Sequence, residues 1–345
     1  MSEKNPILLS FILPMYNVES FLDKCVQSLV QQNLARGTFE IILVNDGSKD
    51  NTLVIAKRWA SEWPEIKVIN QKNGGQAVAR NAGTRLAQGE YLWFIDSDDF
   101  ILEDSASTLV KVAKAEKADV ITFELCKIPV GIEPNARFNP KIEPEKTASG
   151  ISFIEKHNYN NGPWLFLVRS QFLKEIGLSY KEGRQCEDGM FTMEMLCKAN
   201  RVVHYPSPAY VYVRHAAGIT KNREPAIYRW WLEGFAHAID FFNGLIEEQS
   251  KNPQATPGFL KRLKSRRDSY TFFYCMRLIQ STQKSQEILG TYQAMKVKKW
   301  VPLKDFSREE YPGFKYTFFK FMIGQTWTFA LLVYSLKLAK LLRLR

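Results

Sequence analysis

Tyr91-Leu92-Trp93-Phe94-Ile95-Asp96-Ser97-Asp98-Asp99 is the stretch of sequence that decides the fold. Five apolar residues, too short a run for a helix and rich in aromatic rings, predict a buried strand. Three carboxylates follow within four residues, although Asp is disfavoured in strands and like charges repel. Open α/β sheets bind ligands at the carboxyl ends of their strands. Clustered carboxylates there are typical of a hard divalent cation, Mg²⁺ or Mn²⁺, that bridges to a phosphate. The alternative is an Asp-rich turn that caps a helix beginning near Glu103.

Strand-like and helix-like segments alternate on both sides of this stretch. Strands are predicted at 7–13, 39–44, 66–70, 91–95 and 119–125, and helices at 18–32, 51–63, 76–87 and 104–116. Short connections between them indicate an α/β fold, with a mainly parallel central sheet and helices on both faces. Long periodic runs at 225–250 and 258–282 predict helices. We therefore expect an α/β domain over residues 1–220 and a helical extension over residues 221–345.

The five cysteines are scattered among 345 residues without a CxxC spacing. This pattern favours a reducing compartment and argues against a disulfide framework or a zinc site. The first residues are polar and lead directly into a strand, so we expect no secretory signal and a cytoplasmic location.

The excess of positive over negative charge lies in the last third of the chain. Residues 1–220 hold 25 Lys and Arg against 26 Asp and Glu, whereas residues 221–345 hold 22 against 10. The net charge of the second segment is therefore +12. Such asymmetry indicates an anionic partner, either a nucleic acid or a membrane surface.

The tail, about residues 316–345, favours the membrane. Phe321–Leu336 contains 16 residues without a charge, followed by Lys337, Lys340, Arg343 and Arg345. As one helix this run would be about 24 Å long, short of the roughly 30 Å hydrocarbon core. We therefore expect a helix that lies in the interface of the inner membrane face, where basic residues meet anionic lipid. The alternative is a final helix that docks on the protein's own core.

Polar residues also follow the first two strands. Pro14, Tyr16 and Asn17 follow the first strand, where an aromatic ring can stack on a base; the alternative makes Asn17 a helix N-cap. Asp46 follows the second strand and can accept hydrogen bonds from a nucleobase. The alternative there is helix capping by Ser48 or Asp50.

Two glycines precede the third helix. The N–H groups of Gly74 and Gly75 can face an anion, and Arg80 within that helix can pair with a phosphate or with an active-site carboxylate. Neither GxGxxG nor GxxxxGK[ST] is present, which excludes the dinucleotide fingerprint and the P-loop. The alternative is a plain helix start with Arg80 on the surface.

The remaining candidates lie nearer residue 220. Glu187 and Asp188 form a second acidic pair, for which capping at a helix N-terminus is the alternative. Arg214 ends a predicted strand and can hold a phosphate. His215 is either a metal ligand or a surface group.

Together these motifs resemble the inverting glycosyltransferases of family 2, which have the GT-A fold. The resemblance rests on FILPMYN, FEIILVNDGSKDNT, GGQAVARNAG, GEYLWFIDSDD and CEDGMF, in that order, and covers about residues 7–220. It implies a nucleotide-sugar donor and a divalent metal.

The resemblance also implies roles for single residues. Asp46 matches the acid that holds the base of the donor. Asp96 and Asp98 match the DxD motif, which contacts the ribose and the metal on the diphosphate, and Asp99 can share the metal. Asp188 matches the catalytic base, with Glu187 beside it. The remaining donor-binding candidates are Pro14, Tyr16, Asn17, Gly75, Arg80, Ser97 and Arg214.

The resemblance leads us to expect transfer of a sugar from a UDP-sugar to an acceptor hydroxyl. The expected acceptor is a lipid-linked glycan for the bacterial cell surface. One alternative is a sugar nucleotidyltransferase, but that class has a Gly-rich, basic loop after the first strand, where this chain has LPMYN. Others are a nucleic-acid-binding protein and a non-catalytic membrane-bound scaffold. No nucleic-acid-reading motif accompanies the basic tail, so we expect no nucleic-acid partner.

Overall fold

The computed structural model describes residues 6–147, 149–215, 225–307 and 309–342. The chain divides into two compact units. The sheet unit comprises Met1–Gly183 and Glu187–Gly218, and the helical unit comprises Arg184–Cys186 and Ile219–Arg345. The predicted boundary near residue 220 falls within 216–224, outside the described residues.

The sheet unit alternates strands and helices as the sequence predicts. Its strands are β1 (Leu9–Met15), β2 (Phe39–Asp46), β3 (Ile66–Gln71), β4 (Tyr91–Phe94), β5 (Phe100–Ile101), β6 (Val120–Pro129), β7 (Glu145–Thr147), β8 (Phe166–Arg169) and β9 (Val202–Arg214). Its helices are α1 (Leu22–Val30), α2 (Thr52–Glu62), α3 (Gln76–Leu86), α4 (Ser105–Ala115), α5 (Gly150–Lys156), α6 (Ser170–Glu175) and α7 (Glu187–Lys198).

These strands form one sheet in the order β3-β2-β1-β4-β8-β6-β9-β5, with β7 paired to β9. β3, β2, β1 and β4 are parallel, as predicted. The later strands are mixed, because β8 runs antiparallel to both of its neighbours and β5 and β7 run antiparallel to β9. The strand order reverses at β1, which has β2 on one side and β4 on the other. Open α/β sheets bind ligands at such a point.

Burial explains why the parallel strands are continuous apolar runs. β1, β2 and β4 are buried along their whole length, as expected for strands covered on both faces. Gly83 lets α3 pack closely on β1, since a Cβ there would lie 2.5 Å from Cγ2 of Ile12. Arg80 lies one turn earlier on α3, and this close packing places it near the sheet.

The helical unit contains five helices among its described residues. They are α8 (Pro225–Gln249), α9 (Pro257–Gln280), α10 (Ser285–Val297), α11 (Phe314–Gly324) and α12 (Thr326–Leu341). The first two match the predicted periodic runs. Apolar side chains from all five helices form a core of their own, which includes Ile239, Phe272, Tyr292, Ile323 and Phe329.

The charge-free run Phe321–Leu336 is not one helix, so that prediction is wrong. α11 ends at Gly324, and Gln325 is extended before α12 begins. Glycine favours a helix end. The hydroxyl of Thr328 also donates to the carbonyl oxygens of Met322 at 2.8 Å and Gln325 at 3.0 Å. These bonds satisfy carbonyl groups that the end of α11 leaves without helical partners.

Both tail helices have a buried side and an exposed apolar side. Ile323, Phe329 and Val333 lie in the core of the helical unit, as the docked alternative predicts. Exposed apolar side chains recur at helical spacing, and we call them the apolar stripe: Phe314, Phe318, Phe321, Trp327, Leu331, Tyr334 and Leu338. Among the described residues, no helix has the length and apolar character needed to span a bilayer. Arg343, Arg345 and the side chain of Lys340 lie outside the description.

Candidate active site

Three turns meet at the carboxyl edge of the parallel strands. Tyr16 and Asn17 follow β1, Asp46 ends β2, and Asp96 follows β4. β1 is hydrogen-bonded to both β2 and β4 in parallel register, so these turns begin side by side. The structure thus brings the three sequence motifs to one edge of the sheet.

Asn17 joins the first two turns. Its backbone N–H donates to Ser48 Oγ at 3.0 Å, and its Oδ1 accepts from the N–H of Lys49 at 2.8 Å. Its φ of +53° is in the left-handed region, which Asn tolerates. α1 begins at Leu22 with Phe21 before it, so the alternative that makes Asn17 an N-cap is wrong.

Pro14, Tyr16 and Ser97 divide into one accessible and two buried residues. Tyr16 exposes 48% of its surface and is open to a ligand. The hydroxyl of the buried Ser97 donates to the carbonyl oxygen of Pro14 at 2.9 Å. In this structure Pro14 and Ser97 therefore tie the turn after β1 to the turn after β4.

Asp46 is a buried carboxylate with three donors. Its Oδ1 accepts from Gln71 Nε2 at 2.8 Å and from the N–H of Gly74 at 2.9 Å, and its Oδ2 accepts from the N–H of Gly75 at 2.8 Å. The φ of Gly75 is +90°, a conformation that glycine adopts readily. The two N–H groups expected to face an anion thus face a protein carboxylate. Asp50, not Asp46, accepts from the first turn of α2.

Arg80 is the buried cation of the site. Its Nη2 donates to Asp96 Oδ1 at 2.9 Å and its Nη1 to Asp188 Oδ1 at 2.6 Å, while Glu187 Oε1 lies 3.6 Å from Nη1. The ring of Tyr180 lies 5.3 Å from the guanidinium carbon. Only 1% of the Arg80 side chain is exposed, so the surface alternative is wrong. Arg80 links the acid after β4 to the pair that begins α7.

Burial controls the protonation of these groups. It raises the pKa of Asp96 to about 6 and that of Glu187 to about 7, although Arg80 opposes both shifts. Burial also raises the pKa of Asp188, again against Arg80. For Arg80 itself, burial would lower the pKa, but Asp188 and Asp96 outweigh it and raise the pKa above its ordinary value. Arg80 is therefore always a cation here.

Asp98 and Asp99 have different partners. Asp98 Oδ2 lies 2.7 Å from His215 Nε2, and 33% of the Asp98 side chain is exposed. Asp99 is buried, where its Oδ2 accepts from the hydroxyl of Tyr210 and its Oδ1 from the N–H of Val213, both at 2.7 Å. Burial, followed by the neighbouring acids, raises the pKa of Asp99 to about 9.

The acidic turn does not cap a helix. β5 follows it directly, and α4 begins only at Ser105, after Asp104. The capping alternative near Glu103 is therefore wrong for Asp96, Asp98 and Asp99.

The residues present fit a hard divalent cation. Asp96, Asp98 and Asp99 each offer one carboxylate oxygen, and these atoms lie within 4.8 Å of one another. Mg²⁺ and Mn²⁺ favour oxygen ligands. Both oxygens of Asp99 already accept hydrogen bonds, whereas Asp96 and Asp98 each keep one oxygen that accepts no bond from a described residue. Asp96 and Asp98 are the more available ligands.

Two tyrosines of this site were not predicted from the sequence. Tyr210 accepts the N–H of Asp96 at 3.2 Å and donates to Asp99, so it positions the acidic turn from β9. Tyr180 lies beside Arg80. The alternating Tyr-Val-Tyr-Val run in β9 was the available signal for Tyr210. Arg214, predicted to hold a phosphate, is exposed at the end of β9 and contacts none of these acids among the described residues.

Comparison with known proteins decides the family. A sequence model of "Glycosyl transferase family 2" matches residues 10–177. The uncharacterized glycosyltransferase EpsJ of Bacillus subtilis (strain 168) is 30% identical over 244 residues, which cover 68% of this chain and 70% of EpsJ. The chain belongs to glycosyl transferase family 2. The predicted family is confirmed.

Solved structures confirm the predicted GT-A fold with its helical extension. The crystal structure of S. aureus TarS 1-349 in complex with UDP-GlcNAc has a TM-score of 0.58 at 20% identity and covers 88% of this chain and 92% of that one. The mannosyltransferase PcManGT from Pyrobaculum calidifontis, solved with GDP-Man and Mn²⁺, has a TM-score of 0.51 at 16% identity, with coverages of 86% and 84%. In sequence, this family 2 chain spans 44% of the full length of TarS from S. aureus (strain Mu50 / ATCC 700699), at 26% identity.

Proposed function

We propose that the chain transfers a sugar, with inversion at the anomeric carbon, from a UDP-sugar to an acceptor hydroxyl. The observation that carries this proposal is the Arg80 bridge, which sets Asp96 and Asp188 on the same guanidinium. Inversion by direct displacement needs a leaving-group site on one face of the sugar and a base on the other. A cation between the two acids holds them apart at a fixed distance.

The donor side is formed by the three turns at the sheet edge. Asp46, oriented by backbone N–H groups, accepts hydrogen bonds from the base, and the exposed ring of Tyr16 stacks on it. The two structural relatives were solved with UDP-GlcNAc and with GDP-Man, which are both nucleoside diphosphate sugars. TarS, solved with UDP-GlcNAc, supports the choice of a uridine donor.

Asp96 and Asp98 would hold Mg²⁺ or Mn²⁺, and His215, beside Asp98, is placed to add a nitrogen ligand. When bound, such an ion neutralises negative charge that develops on the diphosphate leaving group. Asp99 fixes the turn after β4 to β9, because it accepts hydrogen bonds from Tyr210 and Val213. PcManGT, which was solved with Mn²⁺, supports the same choice of ion.

Asp188 is the proposed general base. Its side chain is 32% exposed, whereas that of Glu187 is 8% exposed, so an acceptor hydroxyl can reach Asp188 more easily. The charge of Arg80 favours the carboxylate form of Asp188, which is the form that takes a proton. Glu187 stands beside the base and shares Arg80 with it.

The proposed acceptor is a lipid-linked glycan at the cytoplasmic face of the membrane. The apolar stripe is the observation that supports it, because exposed apolar patches mark interaction sites. Two lysines of the tail bond the protein itself: Lys337 donates to the carbonyl of Ser281, and Lys320 donates to that of Phe306. Apolar contact, more than charge, would thus hold the tail to lipid. TarS is named for transfer to poly(ribitol-phosphate), which supports a surface-polysaccharide role.

Donor binding tests the proposal. Titration of the purified chain with a panel of sugar nucleotides in Mn²⁺ should identify one donor that binds, and Asp98→Asn should weaken its binding by tenfold or more. Glu103→Gln, an exposed acid five residues away, is the matched control and should bind the donor normally. Equal donor affinity in Asp98→Asn and wild type, with Mn²⁺ present, would exclude Asp98 as the metal ligand.

A further inference from the structure

A second group of side chains that could hold a metal ion lies in the sheet unit, and it shares no residue with the active site. Glu145 in β7, His157 at the end of α5 and His204 in β9 each offer one ligand atom, and the three atoms lie within 4.8 Å of one another. Glu145 and His204 are directly paired across β7 and β9, so their side chains share a face of the sheet.

A further acid stands next to this group. Glu124 Oε1 in β6 lies 3.6 Å from His204 Nε2. Two imidazoles and two carboxylates suit Zn²⁺, which takes nitrogen and oxygen ligands in tetrahedral sites. The two carboxylates also balance the charge of the ion.

The surrounding residues orient the two imidazole rings. The Nδ1 of His204 is 2.8 Å from Thr122 Oγ1, which leaves Nε2 as the metal-facing nitrogen. The ring of Phe153 stacks on His157 at 4.7 Å with an interplanar angle of 18°.

We propose that Glu145, His157, His204 and Glu124 bind one Zn²⁺ ion. The ion would clamp β7 and the end of α5 to β9 and β6. Zinc bonds of about 2.0–2.1 Å place tetrahedral ligand atoms roughly 3.4 Å apart, so zinc binding would draw in any ligand atoms that now lie farther apart, within the present limit of 4.8 Å. The proposed ligands are Glu and His side chains, so the spacing of the cysteines, on which the sequence argument against a zinc site rested, does not bear on this site.

Zinc content and affinity test the proposal. The full chain, stripped with a chelator and titrated with Zn²⁺ against a chromophoric competitor, should bind one tight equivalent. Glu145→Gln and His157→Gln should each weaken this binding at least tenfold. Asp98→Asn, at the other candidate metal site, is the matched control and should keep it.

Two further readouts separate a metal clamp from a mere packing role. Zn²⁺ should raise the melting temperature of the wild type and not that of Glu145→Gln, a change at an exposed side chain that the fold tolerates. Co²⁺ in the same site should give the visible spectrum of a tetrahedral complex. Unchanged Zn²⁺ affinity in both variants, or loss of the tight equivalent in Asp98→Asn alone, would overturn the assignment.

Discussion

The sheet unit and the helical unit depart from ordinary protein architecture in opposite ways. In the sheet unit the unusual residues are charged groups that are buried, with Arg80 surrounded by Asp96, Glu187 and Asp188. In the helical unit they are apolar groups that are exposed, as in the apolar stripe. A buried charge is costly unless it is paired, and an exposed apolar patch marks an interaction site. This contrast supports the proposed catalysis in the sheet unit and the proposed lipid contact in the helical unit.

The largest expected effect is on the buried charges. Asp188→Asn should lower kcat by about 10²–10⁴-fold, because general base catalysis contributes that much. Donor affinity should stay nearly unchanged, since the proposed role of Asp188 is toward the acceptor. Steady-state kinetics and donor titration measure the two quantities. Glu187→Gln provides the contrast, and a larger loss of kcat there than in Asp188→Asn would move the base to Glu187.

Removal of the buried cation comes next. Arg80→Ala should lower the free energy of unfolding by about 3–5 kcal/mol, because it leaves buried carboxylates without a partner. Arg85→Ala, on the exposed side of the same helix, should change it by less than about 0.5 kcal/mol. Denaturant unfolding measures both. If the two variants are equally stable, the bridge adds nothing to the fold and the contrast between the units fails.

The apolar stripe should show a smaller, additive effect. Trp327→Ser and Leu331→Ser should each weaken binding to vesicles of anionic lipid by about tenfold to a hundredfold, since burying one such side chain contributes about 1.5–3 kcal/mol. Val297→Ser is the control, because Val297 is 83% exposed outside the tail helices. Deletion of the tail is less informative, as it would remove Phe329 and Val333 from the core. Wild-type vesicle binding in both stripe variants would reject the membrane role.

The smallest expected effect is on pH dependence. The pKa of Glu187 is raised to about 7, from an ordinary value of about 4.3. Its contribution to stability is therefore complete below about pH 4.3 and lost as the pH rises through about 7. Turnover should change in the opposite direction, because Asp188 must lose its proton to act as a base. Glu187→Gln should flatten the pH dependence of unfolding measured across this range; an unaltered slope would show that another group causes it.

Local patterns predicted most of the first half of the sheet unit. The alternation from β1 to α4 depends on short apolar runs and helical periodicity, which are visible in any single window of sequence. The position of β8 between β4 and β6 depends on pairing between distant segments, and periodicity carries no sign of it. The helix end at Gly324 was not predicted, because the uncharged run shows no change of composition there. The hydroxyl of Thr328, which lies in the next helix, stabilises this end.

The site was predicted in its residues better than in its contacts. Asp46, Asp96 and Asp98 stand out because acids rarely follow buried strands. Arg80 had two possible partners in sequence, phosphate or carboxylate, and only the fold shows the carboxylates. In the sequence, the role of Tyr210 is not visible, because its hydroxyl bonds Asp99, which lies 111 positions earlier.

The Arg80 bridge has a consequence for how such sequences diverge. A chain that loses Arg80 keeps three acids with raised pKa values and no cation, so later mutations that neutralise Asp96, Glu187 or Asp188 become favourable. A chain that keeps Arg80 still needs acids to balance its charge. Loss of Arg80 should therefore precede loss of the acids, whereas chains that keep Arg80 should keep acids beside it. A relative that retains the DxD motif but lacks an arginine at this position is a good candidate for a lineage that is abandoning catalysis.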